Sequence, residues 1–158
     1  MKRIYGFIRA PLLAKSGAGF TLVEVLLSIA AIAIISGISM PLYLSFQVKD
    51  DLDIAVVTLV ASLRRSQTHS QASEGDTSWG VKIQSGDITL FKGASYSVRD
   101  TSYDEIFDVS SAIGFSGIDE IVFDKLSGEP DVIGTITLTS TTNQTATVTL
   151  NGKGMVDY

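Results

Sequence analysis

The sequence predicts an α+β fold in which one long N-terminal helix precedes an antiparallel β-sheet head. An uncharged, apolar run extends from Val25 to Val48, and an amphipathic pattern follows it as far as Ala72. Strict alternation of apolar and polar residues begins at Trp79. A period of three to four residues is typical of a helix with one apolar face, whereas a period of two is typical of strands.

The apolar run is long enough to be a membrane-spanning helix. It holds 24 residues, which as a helix would extend roughly 36 Å, against about 30 Å for the hydrocarbon core of a bilayer. We therefore predict a transmembrane helix over 20–48, with a kink at Gly37 and Pro41, since both residues weaken a helix. Two plainer interpretations are an uncleaved signal anchor and a secretory signal peptide that is removed, although the apolar core of a signal peptide usually has about 7–15 residues.

The charges on either side of the run predict its orientation. Residues 1–23 include four cations and no acid, and the residues just after the run are mainly acidic: Lys2, Arg3, Arg9 and Lys15, then Lys49, Asp50, Asp51 and Asp53. Basic residues stay on the cytoplasmic side of a membrane. We expect a single-pass protein of the cytoplasmic (inner) membrane, with its N-terminus in the cytoplasm and its C-terminal head outside.

One carboxylate, Glu24, stands at the head of the apolar run. An ionised group in hydrocarbon costs several kcal/mol, so an acid in this position is expected to have a partner or a function.

The residues around Glu24 resemble the signature of type IV prepilins. The matching segment is Ala18-Gly19-Phe20-Thr21-Leu22-Val23-Glu24-Val25-Leu26, after a short basic leader. The resemblance implies that a prepilin peptidase/methyltransferase removes residues 1–19 by cutting between Gly19 and Phe20 and then N-methylates Phe20. The family also commonly has a proline about two-thirds through the apolar run, where Pro41 lies.

The resemblance implies that the helix of residues 20–48 also forms the filament core, and it gives Glu24 a role in filament assembly. In a packed filament, the ammonium of one subunit's Phe20 can meet the carboxylate of a neighbour's Glu24. A buried charge is tolerated when it is paired, and removal of one partner costs about 3–5 kcal/mol. A Glu24→Ala change should leave the chain inserted in the membrane but impair its entry into a filament.

Composition narrows the class of subunit. The chain of 158 residues carries a net charge of −5, and loss of the four leader cations would leave eight Lys and Arg against 17 Asp and Glu, or about −9. This acidity counts against DNA as a partner, apart from a local basic patch of Arg64, Arg65 and Lys82. The chain has no cysteine, whereas many type IV pilins close a C-terminal loop with a disulfide. A minor pilin or a pseudopilin is therefore favoured over a standard major pilin.

Residues 49–72 predict an amphipathic continuation of the helix. Its apolar stripe comprises Leu52, Ala55, Val56, Leu59, Val60 and Leu63. Spacing of three and four residues places such side chains on one helix face, which is expected to pack on the head. The helix should end near residue 72. The β head comprises residues 73–158 and begins with a loop over residues 73–78.

The head is predicted to be one antiparallel sheet with its apolar face on the helix and its other face polar. Alternation indicates a hairpin around Ser85-Gly86, a strand at 121–123, a second hairpin over 135–150 and a final edge strand at 155–156. Between 93 and 120 we expect a short strand at Tyr96 and Val98 and another at Ile106–Val109. The helix end 59–72 and the run 121–154 also resemble minor pseudopilins of the H type.

The residues that carry chemistry in enzymes and metal sites do not form such a pattern here. His69, the only histidine, is interpreted as a solvated residue at a polar helix end. Asp100, Asp104, Glu105 and Asp108 are interpreted as a solvated acidic loop rather than a calcium site, because their spacing is not that of an EF-hand. Trp79 and Phe91 are assigned to the core between sheet and helix. We predict no catalytic residue, no metal and no cofactor.

The expected function is that of a non-catalytic subunit of a type IV pilus or a type II secretion pseudopilus, serving secretion, adhesion, motility or DNA uptake. Its expected partners are other pilin or pseudopilin subunits, the peptidase, the cytoplasmic membrane and an inner-membrane assembly platform. The alternative is a monomeric, membrane-anchored binding module whose β head captures an extracytoplasmic partner and which needs neither Glu24 nor a cut after Gly19.

Overall fold

A computed structural model describes residues 19–158, with the side chains of residues 38–42, 44 and 45 left out. The predicted leader of residues 1–19 lies outside the described residues except for Gly19, and so does the side chain of Pro41. The fold is α+β, as predicted, with one long helix followed by antiparallel strands.

The long helix, α1, extends over Leu22–Gln71 and contains 50 residues. Thr21 caps its start, because the hydroxyl Oγ1 accepts a hydrogen bond of 3.2 Å from the backbone N–H of Glu24. Thr and Glu three residues apart match the capping-box pattern. The predicted helix of residues 20–72 is confirmed in extent to within two residues at each end.

A transmembrane first half was also predicted for this helix. Among the residues that the structure describes, no helix is both long and apolar enough to cross a membrane.

The chain divides into two compact units, Met1–Ser39 and Met40–Tyr158. In the first unit, all side chains from Gly19 to Gly37 are exposed. In the second unit, the predicted stripe of α1 is confirmed, because all six of its side chains are buried. They pack in one core with apolar side chains from the β-strands.

Eight strands form two four-stranded antiparallel sheets, where one sheet was predicted. The strands are β1 (Trp79–Gln84), β2 (Asp87–Lys92), β3 (Asp100–Asp108), β4 (Ile113–Gly117), β5 (Glu120–Phe123), β6 (Gly134–Ser140), β7 (Thr145–Leu150) and β8 (Val156–Asp157). The first sheet has the order β3-β2-β1-β5 and the second the order β4-β6-β7-β8. Both sheets contribute to the core against α1.

The two predicted hairpins are confirmed. Val81 pairs with Leu90 across the first hairpin, and Ile136 pairs with Val148 across the second. The second hairpin turns at Asn143, whose positive φ of 60° is typical of Asn in turns. Along β6 and β7, Ile136, Leu138, Val148 and Leu150 are buried, and the alternating threonines are exposed or half-buried.

Two predictions between residues 93 and 120 are wrong, one strand there was not predicted, and the strand expected at Ile106–Val109 overlaps the end of β3. Tyr96–Val98 forms a turn of 3₁₀-helix and not a strand. The acidic residues expected in a loop lie on β3, an edge strand, where charged side chains oppose pairing with a foreign strand. The sequence did not predict β4, because Gly114, Ser116 and Gly117 have low β-propensity.

Candidate assembly site

The candidate processing site, Gly19-Phe20, precedes the first turn of α1 in irregular, exposed backbone. A Cβ added to Gly19 would meet no atom within 4 Å, and the Phe20 side chain is 82% exposed. The peptide bond between the two residues is therefore open to an approaching enzyme.

Glu24 lies in the first turn of α1, where its side chain is exposed. The partial positive charge at the start of a helix favours a carboxylate in this position. Glu24 therefore suits the helix itself as well as a partner. The backbone carbonyl of Glu24 accepts a 2.7 Å hydrogen bond from Ser28 Oγ.

The helix surface that follows Glu24 is apolar on all sides and exposed. Its large side chains are exposed to between 45 and 76% of their surface: Leu22, Val23, Val25, Leu26, Leu27, Ile29, Ile32, Ile34 and Ile35. A helix that is hydrophobic all round is normally buried. This segment therefore presents apolar area that only lipid or another protein surface could cover.

A comparison with protein-family models identifies this segment. Residues 15–40 match the model of the prokaryotic N-terminal methylation motif, which covers about a sixth of the chain. The chain carries the hallmark of type IV pilin-like prepilins. Proteins with this motif are structural subunits and not enzymes. Comparisons with curated proteins and with solved structures gave no match.

The prepilin motif supports processing by a prepilin peptidase, a membrane-anchored or pilus location and assembly with other pilins. The two residues predicted to kink the helix, Gly37 and Pro41, both lie inside α1. A Cβ at Gly37 would meet no other atom within 4 Å, so close packing within the chain does not explain the glycine. The kink stays a prediction.

In the head of this prepilin-motif protein, His69 is not the solvated residue that was predicted. Its ring stacks on Trp79 with 4.5 Å between centroids, and its Nδ1 contacts the carboxylate of Glu74. Its buried Nε2 has no hydrogen-bond partner among the described residues. Trp79 is buried, and its ring N–H donates a 2.9 Å hydrogen bond to the Glu74 carbonyl. The arrangement joins the end of α1 to β1.

Phe91 is buried, but it was assigned to the wrong face of the sheet. It pairs directly with Gly80, and directly opposed residues share a face. Val81, which alternates with Gly80, belongs to the core against α1. Phe91 therefore lies on the opposite face, where Tyr96 packs edge-on against it at 5.6 Å.

The acidic residues of β3 do not converge on a common point. Asp104 pairs with Arg99 at 2.8 Å, and Glu105 pairs with Arg65 at 2.6 Å. The hydrogen bond from Arg99 to Asp104 raises the pKa of the guanidinium above its ordinary value. Within residues 19–158, no three His, Cys, Asp or Glu side chains are grouped so that they could hold a metal ion.

The basic patch considered for DNA binding is largely neutralised by ion pairs. Arg65 donates to both oxygens of Glu105, and Lys82 contacts Asp119 at 2.7 Å. The hydrogen bond with Asp119 raises the pKa of Lys82, and the same bond lowers the pKa of the Asp119 carboxyl. Arg64 lies 5.9 Å from the ring of Tyr158. This arrangement weakens the case for a nucleic-acid surface.

Proposed function

We propose that this chain is a structural, non-catalytic subunit of a type IV pilus or a type II secretion pseudopilus. Cleavage after Gly19 and N-methylation of Phe20 produce the mature subunit. The observation that carries the proposal is the methylation motif at residues 15–40, within which the apolar side chains of α1 are exposed as far as Gly37. Polymerisation would cover that surface, since neighbouring helices can replace lipid around it.

Glu24 acts in assembly by pairing with the N-terminal ammonium of a neighbour's Phe20. The geometry supports this role because both side chains are exposed at the very start of α1. In an apolar surrounding, an unpaired carboxylate is costly and a paired one is tolerated. The pair would also set the axial register of successive subunits.

Before assembly, the subunit is held in the cytoplasmic membrane by the apolar residues 20–48. The four cations of the leader favour a cytoplasmic N-terminus and an extracytoplasmic head formed by the amphipathic helix 49–72 and residues 73–158. We favour a minor pilin or an H-type pseudopilin over a major subunit, because the chain contains no cysteine for a stabilising disulfide.

Intact mass and N-terminal sequencing test the processing step. We expect a chain that starts at N-methylated Phe20, both in native membranes and in filament material sheared from the cell surface. A chain that keeps residues 1–19 and never leaves the membrane would contradict the proposal.

Replacement of Glu24 tests the assembly step. Glu24→Ala should insert and be cut normally but should appear at least tenfold less in the sheared fraction, since a stranded ammonium costs about 3–5 kcal/mol. Quantitative immunoblotting of membrane and sheared fractions measures the ratio. Asp53→Ala is the matched control, because it removes one exposed carboxylate further along the same helix, and it should assemble normally.

Equal assembly of Glu24→Ala and Asp53→Ala would instead favour the monomeric binding module anchored in the membrane. Such a module has no subunit interface for Glu24 to serve, so it should be indifferent to the substitution.

A further inference from the structure

An open apolar groove lies between α1 and the edge strand β3. Its lining residues are Val57, Thr58, Ala61, Ser62, Arg65 and Phe107. Its volume is about 260 Å³, slightly below the roughly 300–1,000 Å³ of sites that enclose small ligands. The groove therefore suits side chains inserted from another protein surface better than an enclosed small molecule.

Two polar side chains of the groove, Ser62 and Arg65, have partners within the chain. Ser62 Oγ donates a 2.9 Å hydrogen bond to the Thr58 carbonyl of its own helix. At the rim, the Arg65 guanidinium is held by both carboxylate oxygens of Glu105, at 2.6 and 2.7 Å. Since neither of these two groups needs a new partner, an uncharged occupant would leave both of them paired.

The apolar side chains at the mouth of the groove are exposed. Val57 is 60% exposed, and Ile54, one turn earlier on the same face of α1, is 61% exposed. Ala61 and Ser62 are small, and small residues allow the backbone of a second helix to approach closely. The surface thus has the features of a site that receives a helix.

We propose that this groove receives the apolar first half of α1, Leu22–Gly37, from a second copy of the chain. The inference rests on the proposed filament function and assigns one of its contacts. The chain itself contains a segment that suits the groove, because Leu22–Gly37 is exposed throughout and is uncharged beyond Glu24. A groove on the head and a helix at the other end of the chain form a heterologous contact, which can repeat into an open polymer.

Cysteine cross-linking tests the contact without interference, because the chain has no native cysteine. Ala61→Cys is combined in the full chain with Leu26→Cys, Ile29→Cys or Ile32→Cys, and cells are treated with a short bis-maleimide. We expect a covalent dimer of twice the subunit mass with at least one of the three pairs. The control places the second cysteine at the exposed Thr147 of β7, and it should give at least tenfold less dimer.

A charge placed in the groove tests its role in assembly. Ala61→Glu should be cut after Gly19 as usual but should fall at least tenfold in the sheared fraction, because the incoming helix offers no cation. Thr147→Glu adds the same charge on exposed β7 and should assemble normally. Fluorescence of Trp79, the only tryptophan, shows whether each head is folded.

The experiments distinguish an incorrect groove proposal from an incorrect filament function. If mature subunits starting at Phe20 reach the sheared fraction but no helix pair cross-links and Ala61→Glu assembles normally, the groove proposal is overturned and the filament function stands. Cross-links only to a chain of another mass would overturn the second copy as the occupant. If no variant, nor the unaltered chain, reaches the sheared fraction, the filament function and the groove contact both fail.

Discussion

At the scale of single residues, Ser70 ties the end of α1 to the first sheet. Its buried hydroxyl accepts a 2.9 Å hydrogen bond from the N–H of Trp79 and donates one of 2.9 Å to the carbonyl of Phe123. Its backbone carbonyl accepts a third bond, from Leu126 N–H at 3.0 Å. One side chain thus connects the helix to the start of β1 and the end of β5.

Replacement of Ser70 should show how much these hydrogen bonds contribute to the free energy of unfolding. Ser70→Ala leaves a buried N–H and a buried carbonyl without this partner, so the free energy of unfolding should fall by about 1–3 kcal/mol. Denaturation of the full chain in detergent, followed by Trp79 fluorescence, measures the change. Ser62→Ala is the matched control.

Ser62 is also buried on α1, but its hydroxyl bonds only to the Thr58 carbonyl within the same helix. The control should therefore change stability by less than about 0.5 kcal/mol, because alanine is the better helix former. Equal losses for the two variants would show that the Ser70 bridge adds nothing beyond side-chain burial.

The sequence could point to some of these residues and not to others. Gly19, Phe20 and Glu24 lie in a local motif, which needs no fold to be recognised, and their roles stay predictions. Nothing local marks Ser70 or the stacking of His69 on Trp79, because both depend on a turn that brings residue 79 back to the helix end. The groove likewise requires Glu105 to meet Arg65, 40 positions away.

At the scale of elements, the confirmed predictions are those encoded over short spans. The hairpin of β1 and β2 combines alternation with a two-residue turn at Ser85-Gly86, which fixes its register. The pairing of β1 with β5, and of β4 with β6, joins strands that are distant in sequence. Period-two alternation shows which side chains share a face but not which strands are neighbours, so two sheets were taken for one.

The end of β4 should be destabilised by a side chain at Gly117. Gly117 has a φ of +98°, and a Cβ there would lie 2.3 Å from the Thr135 carbonyl oxygen of the paired region. Gly86, in the first hairpin turn, has the same φ, with no atom within 4 Å of such a Cβ. Comparison of substitutions at the two positions therefore distinguishes the cost of backbone strain from the cost of steric overlap.

Gly86→Ala should cost about 1–3 kcal/mol of unfolding free energy from strain alone. Gly117→Ala should cost a further ~1–3 kcal/mol, because the backbone of β4 or of the segment before β6 must move. Denaturant titration of both variants gives the difference. Equal losses of unfolding free energy in the two variants would mean that the backbone around Gly117 can move at no cost in stability.

At the scale of the whole molecule, the buried and the exposed apolar residues lie in different parts of the chain. Every hydrophobic residue that is buried in the described structure lies between Leu52 and Leu150. The apolar side chains from Phe20 to Gly37 are exposed, although their composition is that of a buried helix. The core of the head is therefore complete without the exposed apolar helix.

This division predicts that residues 49–158 fold alone in water. The fragment keeps every residue of the core, from Leu52 onward. Its free energy of unfolding should match that of the full chain in detergent within about 0.5 kcal/mol, the usual effect of changes at exposed sites. Trp79 fluorescence against denaturant compares the two.

A fragment that starts at residue 57 serves as the control, since it lacks Leu52, Ala55 and Val56, which are buried. Truncation of a single buried leucine already costs about 2–5 kcal/mol, so this shorter fragment should be largely unfolded. If the fragment of residues 49–158 were unfolded as well, the apolar helix would have to contribute to the stability of the head, and its exposure could not be explained by assembly alone.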